Sequence, residues 1–92
     1  MNKFEYPVLL TKAEEGGFVV TCRDLPELIT QGENIDDAIE QAHDALEESI
    51  ALRISDNLEI PNPSLIQKGE YKIALSLKMS AKSALYVAFK KV

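Results

Sequence analysis

The chain is poor in cysteine and histidine, the residue types most used for cross-linking and for binding transition metals. It has a single cysteine, a single histidine and no tryptophan in 92 residues. One cysteine excludes an intrachain disulfide and a cysteine metal cluster. No apolar run approaches the roughly 18 residues of a membrane span, and Met1 is not followed by a signal-peptide pattern. These absences favour one small cytoplasmic domain with no predicted cofactor or metal site.

The lone cysteine and the lone histidine make a weak case for catalysis. Cys22 falls within an apolar strand pattern, where an unpaired cysteine is usually a small buried hydrophobe. His43 lies beside the apolar stripe of a predicted helix. A nucleophilic dyad would need an accessible thiol in a positive setting, close to the histidine. The sequence therefore favours a buried cysteine and a boundary histidine, and no catalytic residue is predicted.

What the chain does contain is one long amphipathic stretch, residues 32–52. Asn34 is placed to cap a helix, and Asp37 stands where a capping-box acid would reach back. Apolar or small residues then recur at three- and four-residue spacing. They are Ile35, Ala38, Ile39, Ala42, Ala45, Leu46, Ser49 and Ile50. The pattern predicts a helix that covers one face of a sheet.

Acidic residues follow the opposite side of the same helix. They are Asp37, Glu40, Asp44, Glu47 and Glu48. Like charges four residues apart destabilise a helix by about 0.2–0.5 kcal/mol per pair. Two interpretations stay open at this point: a solvated face that keeps the protein soluble, or a docking face for a basic partner.

Charge is also divided unevenly along the chain. Residues 67–92 hold six of the ten basic residues and Glu70 as their only acid, so the other acids all precede residue 67. An acidic body with a basic end indicates two surfaces with different partners.

Around the long helix the sequence predicts the order β-β-β-α-β-α, an α+β domain. The predicted strands are residues 3–11, 18–23, 28–31 and 70–78. A loop is predicted over residues 55–69 and a last helix over residues 80–92, with Ser80 as its N-cap. Pro7 cannot donate to a sheet ladder, so the first strand should have an edge or a bulge there.

The last helix has an apolar stripe that one short helix cannot bury on itself. The stripe is Ala81, Ala84, Leu85, Ala88, Phe89 and Val92, and Lys90 and Lys91 suit the helix C-terminus. Its cover could be the sheet, a second copy of the chain, or a missing segment.

A series of short motifs links the chain to a known family. The motifs are Tyr6-Pro7-Val8, Glu14-Glu15-Gly16-Gly17-Phe18, Asp24-Leu25-Pro26, Gln31-Gly32-Glu33-Asn34, Asp36-Asp37-Ala38, Asp44-Ala45-Leu46 and Pro61-Asn62-Pro63. In this order and spacing they resemble the HicB-like antitoxins of bacterial and phage toxin–antitoxin pairs. Glu27 stands where the family usually has glycine, and Asn34 stands where it usually has threonine or serine.

The resemblance implies a partial RNase H-like domain over residues 1–78, a small β-β-β-α-β sheet with one long covering helix. Residues 79–92 would be a C-terminal helix, the remnant or start of a missing DNA-binding or oligomerisation module. Such a chain would be either truncated or a natural short form. Four lysines on or beside that helix could touch phosphates, but one helix offers no docking geometry for reading bases.

The resemblance also implies a function, namely to bind and cover a small RNA-cleaving HicA-like toxin. A toxin that attracts RNA should be basic, so the expected contacts on this chain are acidic. They are Glu14, Glu15, Asp24, Glu27, Asp37, Glu40, Asp44, Glu47 and Glu48. A homo-oligomer is expected through Ala84, Leu85, Ala88 and Phe89. DNA is an expected partner only if a C-terminal module is missing, and no membrane partner is expected.

Two other functions stay open. One is a solo binding or regulatory domain without a toxin, because a fold does not dictate function. The other is an RNase H-like nuclease, which would need several converging carboxylates. Glu5 and Glu70 are the acids on the predicted strands, and the helix acids Glu40 and Glu47 are predicted to point away from the sheet.

Overall fold

Four strands and two helices form the α+β fold that the sequence predicts. The computed structural model describes residues 4–90. Its elements are β1 (Glu5–Lys12), β2 (Phe18–Thr21), β3 (Ile29–Gly32), α1 (Ile35–Ser55), β4 (Glu70–Ala74) and α2 (Leu77–Lys90). The strands form one antiparallel sheet in the order β3-β2-β1-β4. Lys3, Lys91 and Val92, which the sequence assigns to the first strand and the last helix, lie outside the described residues.

The core lies between α1 and one face of the sheet. Tyr6, Val8, Val20 and Ile73 occupy alternate strand positions and are fully or almost fully buried, as expected for a sheet with one covered face. From α1 the buried positions are Ala38, Ala42, Leu46, Ser49 and Ile50. These helix positions belong to the stripe predicted from the sequence. Ile35, at the first helical position, is exposed instead.

The start of α1 is fixed by two reciprocal side-chain bonds. The amide of Asp37 donates to Oδ1 of Asn34 at 2.8 Å, and Oδ2 of Asp37 accepts from the amide of Glu33 at 2.8 Å. The predicted N-cap is thus confirmed. Asp37 reaches one residue further back than the acid of a standard capping box, since its carboxylate accepts from the amide of Glu33 rather than from the amide of the N-cap residue. Gly32 passes so close to the backbone of Ala38 that a Cβ there would collide with it.

Pro7 lies at a local edge, as predicted. The β1–β2 register runs from Leu9 opposite Thr21 to Lys12 opposite Phe18, so β2 ends before it reaches Pro7. On the other side Pro7 lies opposite Lys72 of β4. A proline is tolerated here because one flank of β1 has no ladder to complete at this point.

The boundary between β4 and α2 differs from the prediction. The alternation over residues 70–78 predicts one long strand, but β4 ends at Ala74 and α2 begins at Leu77. Ser76, rather than Ser80, caps the helix, because its Oγ accepts from the amide of Met79 at 3.2 Å. Leu77 is exposed and does not continue the buried face of Ile73 and Leu75. The other strands differ from prediction by one or two residues at their ends.

The helix α2 packs on the core with a different face from the one its apolar stripe suggests. Met79, Ser83, Tyr86 and Val87 face the protein, and Ser83 is fully buried. Within residues 4–90 its Oγ has no hydrogen-bond partner. Of the predicted stripe, Ala84 packs partly against the core, whereas Ala81, Leu85, Ala88 and Phe89 point to solvent.

Neither helix within residues 4–90 combines the length and the apolar character that a membrane span requires.

Candidate partner-binding surface

The nine acidic residues predicted to contact a partner fall into two groups. Four of them bind other parts of this chain: Asp24, Glu27, Asp37 and Glu47. The other five are exposed and make no hydrogen bond or ion pair within residues 4–90: Glu14, Glu15, Glu40, Asp44 and Glu48. Sequence spacing predicts the local cap that Asp37 forms, but it cannot single out the other three, because the partners of Asp24, Glu27 and Glu47 are distant in the chain.

Glu27 joins the corner after β2 to the last turns of α1. Its Oε2 accepts from Nε of Arg53 at 2.6 Å and from Oγ of Ser49 at 2.7 Å, and its Oε1 accepts from Nη2 of Arg53 at 2.9 Å. These bonds, mainly those from Arg53, lower the pKa of the Glu27 carboxyl to about 2. Glu27 is therefore part of the structure of the corner.

Asp24 holds the loop of residues 56–69, which contains no helix or strand. Its Oδ2 accepts from the amide of Ser64 at 2.8 Å and its Oδ1 from the Ser64 hydroxyl at 2.5 Å. Tyr6 donates to the carbonyl of Pro61 at 2.7 Å, and Arg23 donates to the carbonyl of Leu65 at 2.5 Å. The loop is thus tied at three points, one on β1 and two on the corner after β2.

Glu47 holds the start of α2. Its two carboxylate oxygens accept from the amide and the hydroxyl of Ser76, at 2.8 and 3.0 Å. The same hydroxyl caps α2, so one acid of the predicted stripe links the two helices. Negative charge near a helix N-terminus is favourable, which gives Glu47 a structural role.

Three exposed acids that follow one another at four-residue spacing in the middle of α1 form what we term the acidic ridge: Glu40, Asp44 and Glu48. Residues four apart lie next to one another along one side of a helix, so the ridge is a continuous line of negative charge. It lies on the solvent side of α1, opposite the buried positions. The nearby His43 is also exposed.

A cleft near the N-terminal end of α1 brings more acids together. The cleft has a volume of about 500 Å³ and lies between the β1–β2 turn, β3 and the start of α1. Glu15 and Asp37, both predicted contacts, line it together with Glu33. Sequence reasoning did not single out Glu33, although its position just before the N-cap places it beside the first turn of α1, where it lines the cleft.

The side chains weighed for catalysis from the sequence are engaged in other ways in the structure. Burial raises the pKa of the Cys22 thiol, which is the opposite of what a nucleophile needs. Oε1 of Glu5 lies 4.0 Å from Nζ of Lys72. Glu70 accepts from Nε and Nη2 of Arg23 at 2.9 and 3.1 Å, and these bonds lower the pKa of its carboxyl. Within residues 4–90, no group of three His, Cys, Asp or Glu side chains is placed to hold a metal ion.

Comparison with known proteins adds an independent finding. The family model described as "HicB_like antitoxin of bacterial toxin-antitoxin system" matches residues 5–84. The chain is 42% identical over 84 residues to Antitoxin HicB of Escherichia coli K12, a match that covers 91% of this chain and 61% of that protein. It is 35% identical over 89 residues to Antitoxin HicB 1 of Photorhabdus laumondii, covering 97% of this chain and 56% of that protein. The chain therefore spans about 60% of the length of these curated relatives.

Proposed function

This chain belongs to the HicB-like antitoxins of bacterial toxin–antitoxin systems, and on that premise we propose that it binds and occludes a small, basic, HicA-like toxin that cleaves mRNA. The chain acts as a non-catalytic inhibitor in the cytoplasm, where the toxin would meet its substrate. Co-repression of the operon belongs to the proposal only where the full gene product carries a DNA-binding module.

The acidic ridge is the observation that carries this proposal. Glu40, Asp44 and Glu48 are exposed, and none of them makes a hydrogen bond or ion pair within residues 4–90. Their mutual repulsion costs the helix about 0.2–0.5 kcal/mol per pair. A basic partner would remove this cost and gain from the same charges. Asp24, Glu27 and Glu47 support the proposal less, because their carboxylates already bind groups of this chain.

Inhibition by occupancy follows from charge mimicry. A protein that cleaves RNA needs a positive surface to hold phosphates. A line of carboxylates competes for that surface and steers the encounter, so association is fast and falls with ionic strength. The acidic cleft with Glu15, Glu33 and Asp37 extends this surface beyond the N-terminal end of α1.

The test is inhibition of RNA cleavage by the purified toxin, first with the wild-type chain. We then compare Asp44→Asn/Glu48→Gln with Thr11→Lys/Asn62→Lys. Both doubles raise the net charge by two, but Thr11 and Asn62 are exposed positions outside α1. The ridge variant should inhibit at least tenfold less well at low salt, and the control variant should inhibit like the wild type.

Two outcomes contradict the proposal in different ways. If the wild-type chain neither binds nor inhibits the toxin, occlusion is wrong, and a solo regulatory domain becomes the leading account. If both doubles lose activity equally, net charge rather than the ridge drives binding.

Self-association is a separate part of the proposal. Leu85 and Phe89 expose 62% and 74% of their surface on the outer side of α2, with Ala88 between them. A second copy of the chain could cover this face through a two-fold axis. Sedimentation equilibrium of the wild type and of Leu85→Glu/Phe89→Glu tests it: a monomeric wild type at high concentration would contradict this part alone.

A further inference from the structure

The acidic ridge leads into an apolar groove at the C-terminal end of α1. Continuing its four-residue spacing beyond Glu48 gives Leu52 and then Asp56, the C-cap residue of the helix. The groove has a volume of about 440 Å³, and its lining residues are Glu27, Leu52, Arg53, Asp56, Leu58 and Glu59. Leu52 and Leu58 expose 55% and 51% of their surface there, so two leucines form an apolar base next to the ridge.

The groove is preformed. The amide of Leu58 donates to the carbonyl of Arg53 at 2.8 Å, and the carbonyl of Leu58 accepts from Tyr86 at 2.6 Å. Nη1 of Arg53 donates to the carbonyl of Glu59 at 2.8 Å. Asn57 takes the left-handed conformation, φ 59°, that turns the chain back over the helix end. A surface held in this way loses little conformational freedom when a partner binds.

The edge of the groove carries unpaired negative charge. The charge of Arg53 is matched by Glu27, whereas the carboxylates of Asp56 and Glu59 are exposed and accept no hydrogen bond within residues 4–90. An apolar base with a negative edge suits a side chain that has an aliphatic stem and a cationic head. Lysine and arginine have that form, since they cover apolar surface with their stems and keep the charge at the edge.

We infer that this groove anchors a lysine or arginine side chain of the basic protein partner, with the stem on Leu52 and Leu58 and the head between Asp56 and Glu59. The inference rests on the proposed function, and it adds a second, distinct contribution to binding. The acidic ridge sets the association rate, because exposed charges act at long range. The groove sets the dissociation rate, because it excludes water around one buried contact.

The test measures binding kinetics against a catalytically inactive form of the toxin, at low and at physiological salt. The variant is Leu52→Ser/Leu58→Ser, and the matched control is Leu65→Ser, since Leu65 is 89% exposed and lies outside the groove. The groove variant should raise Kd at least tenfold through faster dissociation, with an unchanged salt dependence. Asp44→Asn/Glu48→Gln should instead slow association and flatten the salt dependence. The control should bind like the wild type.

A second variant covers the case in which the groove double unfolds. Asp56→Asn/Glu59→Gln changes only exposed carboxylates and should raise Kd several-fold. If the wild type binds but the groove variants match Leu65→Ser, the anchor site is wrong while the proposed function stands. If the wild type does not bind the toxin, the proposed function itself fails and the anchor site with it.

Discussion

Arg53 and Glu27 form a two-pronged ion pair across 26 residues of sequence. The pair fixes the corner after β2 against the last turns of α1, and Ser49 adds a third bond to the same carboxylate. Arg53 also reaches the carbonyl of Glu59. One guanidinium therefore joins three separate segments, and the position of the loop after α1 depends on it.

Replacing Glu27 should change how stability depends on pH. Its folded-state pKa of about 2 lies below the ordinary value of 4.5, so the ion pair stabilises the fold above pH 4.5 and this contribution is lost as the pH falls towards 2. We expect Glu27→Gln to lower the free energy of unfolding at pH 7 by about 1 kcal/mol, because the pair is partly screened by solvent. Urea unfolding between pH 7 and pH 2 measures the effect.

The variant should also lose less stability than the wild type between pH 4.5 and pH 2. Glu40→Gln is the control, since Glu40 is exposed and has no bond to lose within residues 4–90. If the free energy of unfolding fell equally with pH in the wild type and in Glu27→Gln, the assigned role of the Glu27–Arg53 ion pair would be contradicted.

Removing the helix cap should destabilise the whole domain. Asn34→Ala deletes the acceptor for the Asp37 amide, which costs about 1 kcal/mol. For a domain of this size that corresponds to a fall in Tm of roughly 4–8 °C. Thermal unfolding followed by circular dichroism measures it. Asn62→Ala, an exposed loop position, should leave Tm unchanged, and an equal fall in both variants would argue against capping.

Gly32 should tolerate no side chain. A Cβ at this position would meet the backbone of Ala38 and Asp37, and backbone atoms of a helix start cannot move aside without breaking the cap. The φ of Gly32 is not positive, so the cost of Gly32→Ala is steric. We expect the loss of several kcal/mol or failure to fold. Gly16→Ala separates this from backbone strain, because Gly16 has φ 102° but open space around it. It should remain folded.

Two serines of the α2 region should respond in opposite directions. Ser83→Ala removes a buried hydroxyl that has no partner within residues 4–90, so the free energy of unfolding should rise by up to about 1 kcal/mol. Ser76→Ala removes the cap of α2 and one bond to Glu47 and should lower it by about as much. Chemical denaturation of both variants decides the matter. A loss of stability in Ser83→Ala would show that its hydroxyl is satisfied.

The sequence predicted correctly those features that depend on residues close together in the chain. The α1 cap and the break in pairing at Pro7 depend on neighbouring residues and are confirmed. The stripe of α1 is buried from Ala38 onwards at five of its predicted positions, whereas Ile35 is exposed. The prediction of one strand over residues 70–78 was wrong. The apolar alternation continues through Leu75 and Leu77, but the amide of Ser76 donates to the distant Glu47 and the strand has already ended at Ala74. The face of α2 was likewise misjudged. Leu85 and Phe89 of the predicted stripe do not pack on the core, whereas Ser83 does.

For the candidate surface, too, the sequence predicted what depends on neighbouring residues and missed what depends on distant ones. Periodicity places Glu40, Asp44 and Glu48 correctly on the solvent side of α1. It cannot show that Asp24 binds Ser64, 40 residues away. Nor does it reveal the groove, since Leu58 lies in a loop without periodicity. The assignment of contacts to a partner, the division at residue 78 and the RNase H-like classification stay predictions.

The ties on the loop of residues 56–69 also limit how the length of the chain can vary. Four of its residues are bound at fixed points on β1, on the corner after β2 or on α1: Glu59, Pro61, Ser64 and Leu65. A deletion or insertion between two of these points would pull at least one backbone group away from its partner. Changes in length should therefore accumulate after Leu65, towards the exposed turn at Gly69. In proteins that evolve from this chain, we expect insertions and deletions between Leu65 and Gly69. The rest of the loop can change its residues but not its length.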